Sequence, residues 1–341
     1  MPEQLRVASI GDAGHFNLAA AFGTIRGVKY AAAASDGYGE ARVLLAGAAI
    51  PVFERGYLEM LDQVRPDVAT LGCWYAHNGE VALECLRRGI HVITDKPALN
   101  SWAQLAEAEA LCAANPSLCF ITEFASRMNP AFRAAREAVR SGRIGQPVLV
   151  TAQKSYRFGT RPDFFKKRAH FAGLVMWVAS HAIDYASWAS GLGYLSFQGW
   201  QGNLSRPEYG EMEDHVALLA RMEGGVAATL TADYLRPAMA PSHGDDRLRI
   251  AGTRGIVEVV DEVGTLLSND AEPQVIGRGP TPPLAVANEY VATLMGEGSG
   301  FYSTAETLRM ARFLLAARDA ADTGQLVQVP SPQRSAAARS S

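Results

Sequence analysis

Residues 65–100, RPDVATLGCWYAHNGEVALECLRRGIHVITDKPALN, contain one complete strand–helix–strand unit. The runs DVATLGC (67–73) and HVITD (91–95) are short and apolar, which is typical of strands in a parallel sheet. Between them, GEVALECLRRG (79–89) has the length of a helix and stops at Gly89. Because successive strands joined by a helix run parallel, this stretch predicts an α/β fold.

The same alternation continues on both sides of this unit. Further strands are predicted at 5–11, 28–35 and 118–124, and further helices at 16–25, 51–64 and 101–115, the last with Ser101 as its N-cap. These units predict a doubly wound parallel sheet of the Rossmann type over residues 1–125. A helix at 131–142 is expected to pack back on it.

The second half of the chain has a different pattern. Strand-like runs crowd together at 147–156, 195–202, 215–222, 225–234, 247–252 and 255–261, and Gly224 with Gly225 marks a hairpin turn. Helices are predicted at about 173–190, 284–296 and 303–322. We therefore expect a C-terminal α+β domain over 126–330 with an open, mostly antiparallel sheet, and a disordered tail at 331–341.

Bulk composition excludes several classes of function. The 341 residues are enough for two domains, and the net charge is −3, with Lys166-Lys167-Arg168 as the clearest basic cluster, so no nucleic-acid partner is expected. No apolar run reaches 18 residues and the first residues lack a signal-peptide core, so no membrane association is expected. Four cysteines without a CxxC pair and seven scattered histidines predict free thiols, no metal and a cytoplasmic location.

The first turn, IGDAGHF (10–16), has the glycines that a dinucleotide-binding turn requires. Gly11 and Gly14 hold two of the three usual glycine positions, and Phe16 holds the third. Asp36, 25 residues after Gly11, could accept hydrogen bonds from an adenosine ribose and would repel a 2′-phosphate. This favours NAD, with NADP as the alternative because Arg42 is near. Alternatively, Asp36 only stabilises its own turn, SDGYG (35–39).

Lys96 stands between Asp95 and Pro97, where a strand meets its loop. Ligands of doubly wound sheets bind beyond the carboxyl ends of the strands, and Pro97 restricts the backbone of Lys96 to extended geometry. A lysine there could polarise a substrate oxygen and help to move its proton, while Asp95 could accept from ribose or fix the lysine. The alternative is a solvated lysine at a strand end, with Asp95 as a helix cap.

The glycine turn, Asp36 and the D-K-P sequence together resemble the glucose–fructose oxidoreductase/inositol dehydrogenase family (Gfo/Idh/MocA type), whose usual motif is E-K-P. The resemblance covers roughly residues 5–325 and includes RMNPAFRAAREAV (127–139), which is similar to the segment linking the two domains. It implies an N-terminal NAD(P) domain and a C-terminal domain whose open sheet shapes the substrate pocket. That sheet would also pair subunits into a homodimer or homotetramer.

By position, the resemblance also implies a set of cofactor-binding residues. These are Gly11, Ala13, Gly14, His15 and Phe16 in the turn, Asp36, the loop residues Cys73, Trp74, Tyr75 and His77, and the strand-end residues Asp95, Lys96 and Glu123. His77 could instead cap the helix that follows it.

The helix GLVMWVASHAIDYASWASG (173–191) carries His181, Asp184 and Trp188 on one face. His181 matches a family histidine and suits proton transfer near neutral pH. The family usually has an aspartate four residues earlier, and here that position is Trp177, whose indole cannot take a proton. Three alternatives follow: His181 with Lys96 suffices, Asp184 substitutes, or the chemistry is altered. Asp184 could also pair within the core.

We therefore predict Lys96, His181 and Asp184 as catalytic residues. The predicted substrate contacts are Lys96, Tyr156, His170, Trp177 and His181, and the basic, aromatic loop before the helix would suit a polyol or a sugar acid. The predicted function is an NAD(P)-dependent dehydrogenase for a sugar, cyclitol or related polyol. The alternatives are an NAD-dependent glycoside hydrolase that oxidises its substrate transiently, and a non-catalytic NAD-binding sensor.

Overall fold

A computed structural model of the chain describes residues 4–14, 21–22, 24–40, 49–282 and 284–332. Most of the predicted helix at 16–25, the candidate cofactor residues His15 and Phe16, Arg42 and most of the predicted tail lie outside the described residues. Within the described part, the strands form one sheet of six strands and one of nine.

The six-stranded sheet comes from the first third of the chain and is entirely parallel. Its strands are β1 (Leu5–Ile10), β2 (Val28–Ala34), β3 (Val52–Phe53), β4 (Val68–Leu71), β5 (His91–Thr94) and β6 (Phe120–Thr122), in the order β3-β2-β1-β4-β5-β6. The order reverses between β1 and β4, and ligands of such sheets bind at that reversal, beyond the carboxyl ends. The predicted Rossmann-type sheet is confirmed.

Four helices of the described residues lie between the strands of this sheet or directly after its last strand. They are α1 (Tyr57–Val64), α2 (Asn78–Arg87), α3 (Trp102–Ala114) and α4 (Pro130–Arg140). The Ser101 side chain accepts from the Gln104 N–H, so the predicted N-cap is confirmed. The predicted helix at 51–64 is too long, because Val52 and Phe53 pair with β2 instead.

The nine-stranded sheet is mostly antiparallel, as predicted. Its strands are β7 (Pro147–Arg157), β8 (Tyr194–Gly202), β9 (His215–Met222), β10 (Ala227–Arg236), β11 (Gly244–Gly252), β12 (Gly255–Val260), β13 (Val263–Ser268), β14 (Gln274–Arg278) and β15 (Val327–Gln328), in the order β14-β13-β12-β11-β7-β10-β9-β8-β15. Only the β7–β10 pair among these is parallel. Gly224 and Gly225, both with positive φ, make the predicted turn between β9 and β10.

The remaining helices are α5 (Arg168–Phe171), α6 (Ser180–Ser190), α7 (Ala285–Met295) and α8 (Thr304–Thr323). A π-helical turn, Val175–Ala179, runs directly into α6, so the single helix predicted at 173–190 has two parts. Helix α8 packs on β8 and also reaches β6, where Thr304 and Thr307 accept from strand N–H groups. The last long helix therefore joins the two sheets.

Strand alternation in β7 positions part of the site. Val150, Ala152 and Lys154 are buried on the face that packs against α6, whereas Thr151 is exposed on the other face. Because side chains two apart share a face, Tyr156 lies on the same side as Lys154. Two polar side chains are thus directed toward the helix that carries His181.

Candidate active site

The glycine turn after β1 lies directly against the end of β4. Gly11 has φ 86° and Gly14 has φ 55°, a backbone conformation that favours glycine. A Cβ atom on Gly11 would lie 2.4 Å from the Gly72 carbonyl oxygen, and the Ala13 N–H donates to that same oxygen at 2.7 Å. The described part of the turn therefore fits a dinucleotide-binding turn, whose backbone has to approach closely.

Asp36 follows β2 at the same edge of the sheet and is buried. Its Oδ1 accepts from the N–H groups of Tyr38 (3.0 Å) and Gly39 (2.7 Å), so the carboxylate does stabilise its own turn. Its Oδ2 accepts from the Trp74 N–H at 2.9 Å, which ties the turn to the loop after β4. A carboxylate offers about four acceptor positions, so one remains for a ribose hydroxyl.

The loop after β4 presents aromatic rings, while its cysteine faces inward. The Cys73 Sγ lies 3.8 Å from the Ile10 carbonyl oxygen, and burial raises the pKa of this thiol, so it stays protonated. The predicted cofactor contact of Cys73 stays a prediction. Trp74 stacks on Phe164 with 4.9 Å between ring centroids, and His77 stacks on Tyr38 at 3.8 Å. No side-chain capping bond comes from His77, although it occupies the N-cap position of α2.

His170 contacts two residues of the loop after β4. Its Nδ1 lies 3.0 Å from the His77 Nε2, and its ring meets that of Trp74 edge-on. Burial, and then the neighbouring His170, lower the pKa of His77. Helix α5 holds His170 against His77 and Trp74, and its predicted contact with substrate stays a prediction.

Lys96 is completely buried at the end of β5, so the alternative of a solvated lysine is wrong. Its ammonium lies 2.7 Å from the Asp95 Oδ1, and its backbone N–H donates to the same oxygen. The Trp177 ring covers the ammonium at 4.2 Å from its centroid and stacks on Tyr75 at 3.6 Å. Asp95 therefore fixes the lysine, one of the two roles predicted for it.

Glu123 marks the end of the next strand, β6. It is buried, and its backbone N–H donates to the Thr94 carbonyl oxygen at 2.9 Å. Asp95 directly follows Thr94, so Glu123 and Asp95 occupy neighbouring strand ends, as predicted from the resemblance.

A polar cavity of about 690 Å³ lies between the inner face of the nine-stranded sheet and the start of α6. Its lining includes Ser126, Asn129, Lys154, Tyr156, His181, Asp246, Asp261 and Glu262. The predicted substrate contacts Tyr156 and His181 are therefore brought together here. Lys96 and Trp177 are not part of this lining, and their predicted contact with substrate stays a prediction.

Within the cavity, Lys154, Tyr156 and His181 form a connected polar cluster. The Tyr156 hydroxyl lies 3.5 Å from the His181 Nε2, and the Lys154 Nζ lies 4.4 Å from the centre of the Tyr156 ring. Asp246, directly opposite Lys154 on β11, holds that ammonium at 2.6 Å. Burial alone would lower the pKa of Lys154. The opposing effects of Tyr156 and Asp246 are together larger, so the pKa of Lys154 is raised.

Asp184 does not belong to this cavity, and its prediction as a catalytic residue is corrected. The Nη2 of Arg127 lies 2.5 Å from the Asp184 Oδ1, and the Nε of Arg127 contacts both carboxylate oxygens. Both side chains are buried. Burial raises the pKa of Asp184, and Arg127 opposes that rise. Asp184 is thus a core ion-pair residue, which was the other alternative considered.

No group of three or more His, Cys, Asp or Glu side chains in the described part of the chain is arranged to hold a metal ion. Across the described ranges, no helix combines the length and apolar character needed to cross a membrane.

Comparison with known proteins matches both halves of the chain to one family. Residues 5–123 match a model described as "Oxidoreductase family, NAD-binding Rossmann fold", and residues 132–258 match the GFO/IDH/MocA C-terminal domain. A solved structure from Thermotoga maritima is 31% identical, with a TM-score of 0.88, covering 95% of this chain and 100% of that one.

Several more distant relatives have names that state a substrate or a cofactor. Scyllo-inositol 2-dehydrogenase (NAD(+)) of Bacillus subtilis is 20% identical over 75% of this chain and 74% of its own length. The aldose-aldose oxidoreductase of Caulobacter crescentus, solved with glycerol, is 19% identical with a TM-score of 0.76, covering 95% of this chain and 99% of that one. A levoglucosan dehydrogenase solved with NADH is 16% identical with a TM-score of 0.77, covering 96% and 100%.

The glycine turn, the buried carboxylate after β2 and the NAD-binding match together define an oxidoreductase of the Rossmann class. More particularly, the chain belongs to the Gfo/Idh/MocA oxidoreductase family.

Proposed function

We propose that the protein is an NAD-dependent dehydrogenase that oxidises a carbinol carbon of a neutral sugar, cyclitol or related polyol. In this proposal residues 1–125 bind the cofactor, and residues 126–330 bind the substrate and pair subunits. The observation that carries it is the polar cavity lined by His181, whose helix also brings Trp177 onto Lys96. Bound NAD, held by Gly11, Gly14 and Asp36, would supply a hydride acceptor.

His181 acts as the general acid or base, because its ring faces the cavity and its ordinary pKa lies near neutrality. Lys96 polarises the substrate oxygen. Since Trp177 covers the Lys96 ammonium, that ring has to move aside before Lys96 can reach a substrate. The indole then offers a flat apolar face to a sugar or to the nicotinamide.

The charges around the cavity favour a neutral substrate over a sugar acid. Asp246 is matched by Lys154, whereas Asp261 and Glu262 add two further carboxylates at the β12–β13 turn. Like charges disfavour an anionic ligand, while carboxylates accept hydrogen bonds from hydroxyl groups. Inositol, aldoses and levoglucosan, which occur in the names of the relatives, are neutral polyhydroxy compounds.

A substrate panel tests this proposal directly. Myo-inositol, scyllo-inositol, glucose, xylose and levoglucosan would be supplied with NAD or NADP, with gluconate and glucuronate as matched anionic controls. We expect NADH absorbance to rise with at least one neutral compound, at least about tenfold faster than with either anion and faster with NAD than with NADP. Preference for an anion would contradict the assignment of the cavity.

The panel also separates the alternatives. NAD binding measured by calorimetry, without turnover of any compound, would favour the non-catalytic NAD-binding sensor. The position of the Trp177 ring over the Lys96 ammonium also supports that alternative. Sugar release from a glycoside without net NADH would favour the hydrolase. The free thiols Cys73, Cys85, Cys112 and Cys119 and a soluble cosubstrate fit the cytoplasm, which we propose as the location.

The outer face of the nine-stranded sheet is the proposed subunit interface. Leu219, Thr229, Thr151, Arg249 and Glu258 are register partners in one row across this face. Leu219 is 53% exposed. Arg249 and Glu258 carry opposite charges, so each could pair with the other residue on the same face of a second copy. A broad sheet with one uncovered face usually packs against another layer.

Placing a charge in this row should separate the subunits. Leu219→Asp would bury a carboxylate in the pairing face, so we expect a dimer or tetramer to become a monomer in light scattering at micromolar concentration. Leu58→Asp, on the exposed side of α1, is the matched control and should leave the mass unchanged. A wild-type protein that is already monomeric would refute the interface.

A further inference from the structure

We propose that the Tyr156 hydroxyl is the group that receives the substrate proton, with His181 as the next carrier and Lys154 as the residue that positions and charges the pair. This inference rests on the proposed dehydrogenase reaction. It supplies a proton path in a chain whose helix has Trp177 where the family usually has an aspartate.

Tyr156 lines the cavity and lies 3.5 Å from the His181 Nε2, within reach of a hydrogen bond once a ligand tightens the site. Its strand, β7, is paired on both sides, with β10 and with β11. A hydroxyl on such a strand is held more rigidly than one on a loop, which proton transfer requires.

The Lys154 ammonium lies over the Tyr156 ring, and Asp246 fixes that ammonium from the opposite strand. A cation beside a phenol favours the phenolate, so Lys154 makes the Tyr156 oxygen a better proton acceptor. Lys154 is buried and its pKa is raised, so it remains charged through neutral pH.

The other titratable groups around Tyr156 leave His181 as the next carrier. The titratable groups that face Tyr156 include Tyr75, Lys154, His181, Tyr185, Tyr234, His243 and Asp246. Burial raises the pKa of Tyr75, so it stays protonated. Burial raises the pKa of Tyr185 and of Tyr234, so both stay protonated. The pKa of His243 is lowered by burial and then by Arg161, Lys154 and Arg157, so protonating it costs more. The Trp177 indole can only donate.

Oxidation of the substrate removes one proton and one hydride from it. The substrate O–H bond breaks and its proton goes to the Tyr156 oxygen, while the phenolic proton of Tyr156 passes to the His181 Nε2. The pair of electrons left on the substrate oxygen forms the C=O bond. The carbinol C–H bond breaks with its electron pair, which leaves as hydride to nicotinamide. His181, now an imidazolium, releases its proton to water.

The first test needs no substrate. Histidine labelled with ¹³C and ¹⁵N would report the titration of His181 by NMR, with the resonance assigned by its loss in His181→Gln. We expect Lys154→Met to raise the pKa of His181 by at least about 0.5, because a nearby cation is removed. Tyr156→Phe should change the tautomer balance of the ring. Lys166→Met, an exposed lysine paired with Asp163, is the control. Identical titrations in all variants would overturn the relay.

The second test uses a polyol that the wild-type enzyme turns over with NAD. Tyr156→Phe should lower kcat by about 10²–10³-fold with KM changed less than threefold. Lys154→Met should move the acid limb of the kcat profile to higher pH, and Lys154→Arg should restore it partly. A loss confined to KM would reduce Tyr156 to a binding contact and overturn the inference. If the wild-type protein turns over no polyol, the dehydrogenase proposal and the relay fail together, whereas unchanged titrations in an active enzyme overturn the relay alone.

Discussion

Replacing Arg127 with methionine is expected to lower the free energy of unfolding by about 3–5 kcal/mol, the cost of leaving a buried charge without its counter-ion. The structure gives Arg127 three attachments. Its guanidinium contacts both carboxylate oxygens of Asp184, donates to the Phe301 carbonyl oxygen and lies 3.5 Å from Glu306. It therefore ties the segment after β6 to α6 and to the residues before α8. Urea denaturation followed by circular dichroism measures the loss.

The destabilisation should depend on pH, and the sign follows from Asp184. Burial already raises the pKa of Asp184, and removing Arg127 removes the group that opposes this rise. A carboxyl whose pKa is higher in the folded state destabilises that state as the pH rises through that pKa. The difference between wild type and Arg127→Met should therefore be smaller at pH 5 than at pH 8.

Two controls separate this effect from a general loss of charge. Arg140→Met removes an exposed ion pair with Glu137 and should change the free energy of unfolding by no more than about 0.5 kcal/mol. The double variant Arg127→Met with Asp184→Asn removes the unpaired carboxylate and should recover part of the loss. A single variant as stable as wild type at both pH values would show that the pair contributes nothing.

The parallel sheet could be predicted because its strands are apolar runs set between helices at regular intervals. What the sequence misplaced is β3, since Val52 and Phe53 form a strand too short to leave a pattern. In the second sheet, the hairpin at Gly224 and Gly225 had a turn motif, whereas β13 and β14 lacked strong alternation and were missed. The local sequence pattern was sufficient to predict a strand or helix wherever that element was long and evenly apolar.

The candidate site residues also differ in whether the sequence alone could identify them. Tyr156 and His181 could be singled out, and Lys154 was within reach because it lies two residues before Tyr156 on the same face of β7. Asp246 could not be found, because its place opposite Lys154 depends on the register between β11 and β7. The role of Asp184 was left open for the same reason, since Arg127 is 57 residues away in the chain.

Lys96→Met is expected to lower kcat with a competent polyol by about 10³-fold or more while NAD still binds within about threefold of wild type. Lys96 is the cation fixed at the end of β5, and losing a preorganised donor to the reacting oxygen costs about 10²–10³-fold. Losing help with proton movement adds to this. Stopped-flow hydride transfer and calorimetric NAD binding, measured on the same preparation, separate chemistry from cofactor affinity.

Substituting Lys96 alone removes the ammonium that lies 2.7 Å from the buried Asp95 carboxylate, so lost activity could reflect lost structure. The double variant Asp95→Asn with Lys96→Met removes that charge and should recover thermal stability without recovering turnover. Lys166→Met, which loses an exposed lysine, should keep full activity. If Lys96→Met retains more than a tenth of wild-type kcat, Trp177 covers a purely structural ion pair, and the Tyr156–His181 pair has to activate the substrate oxygen alone.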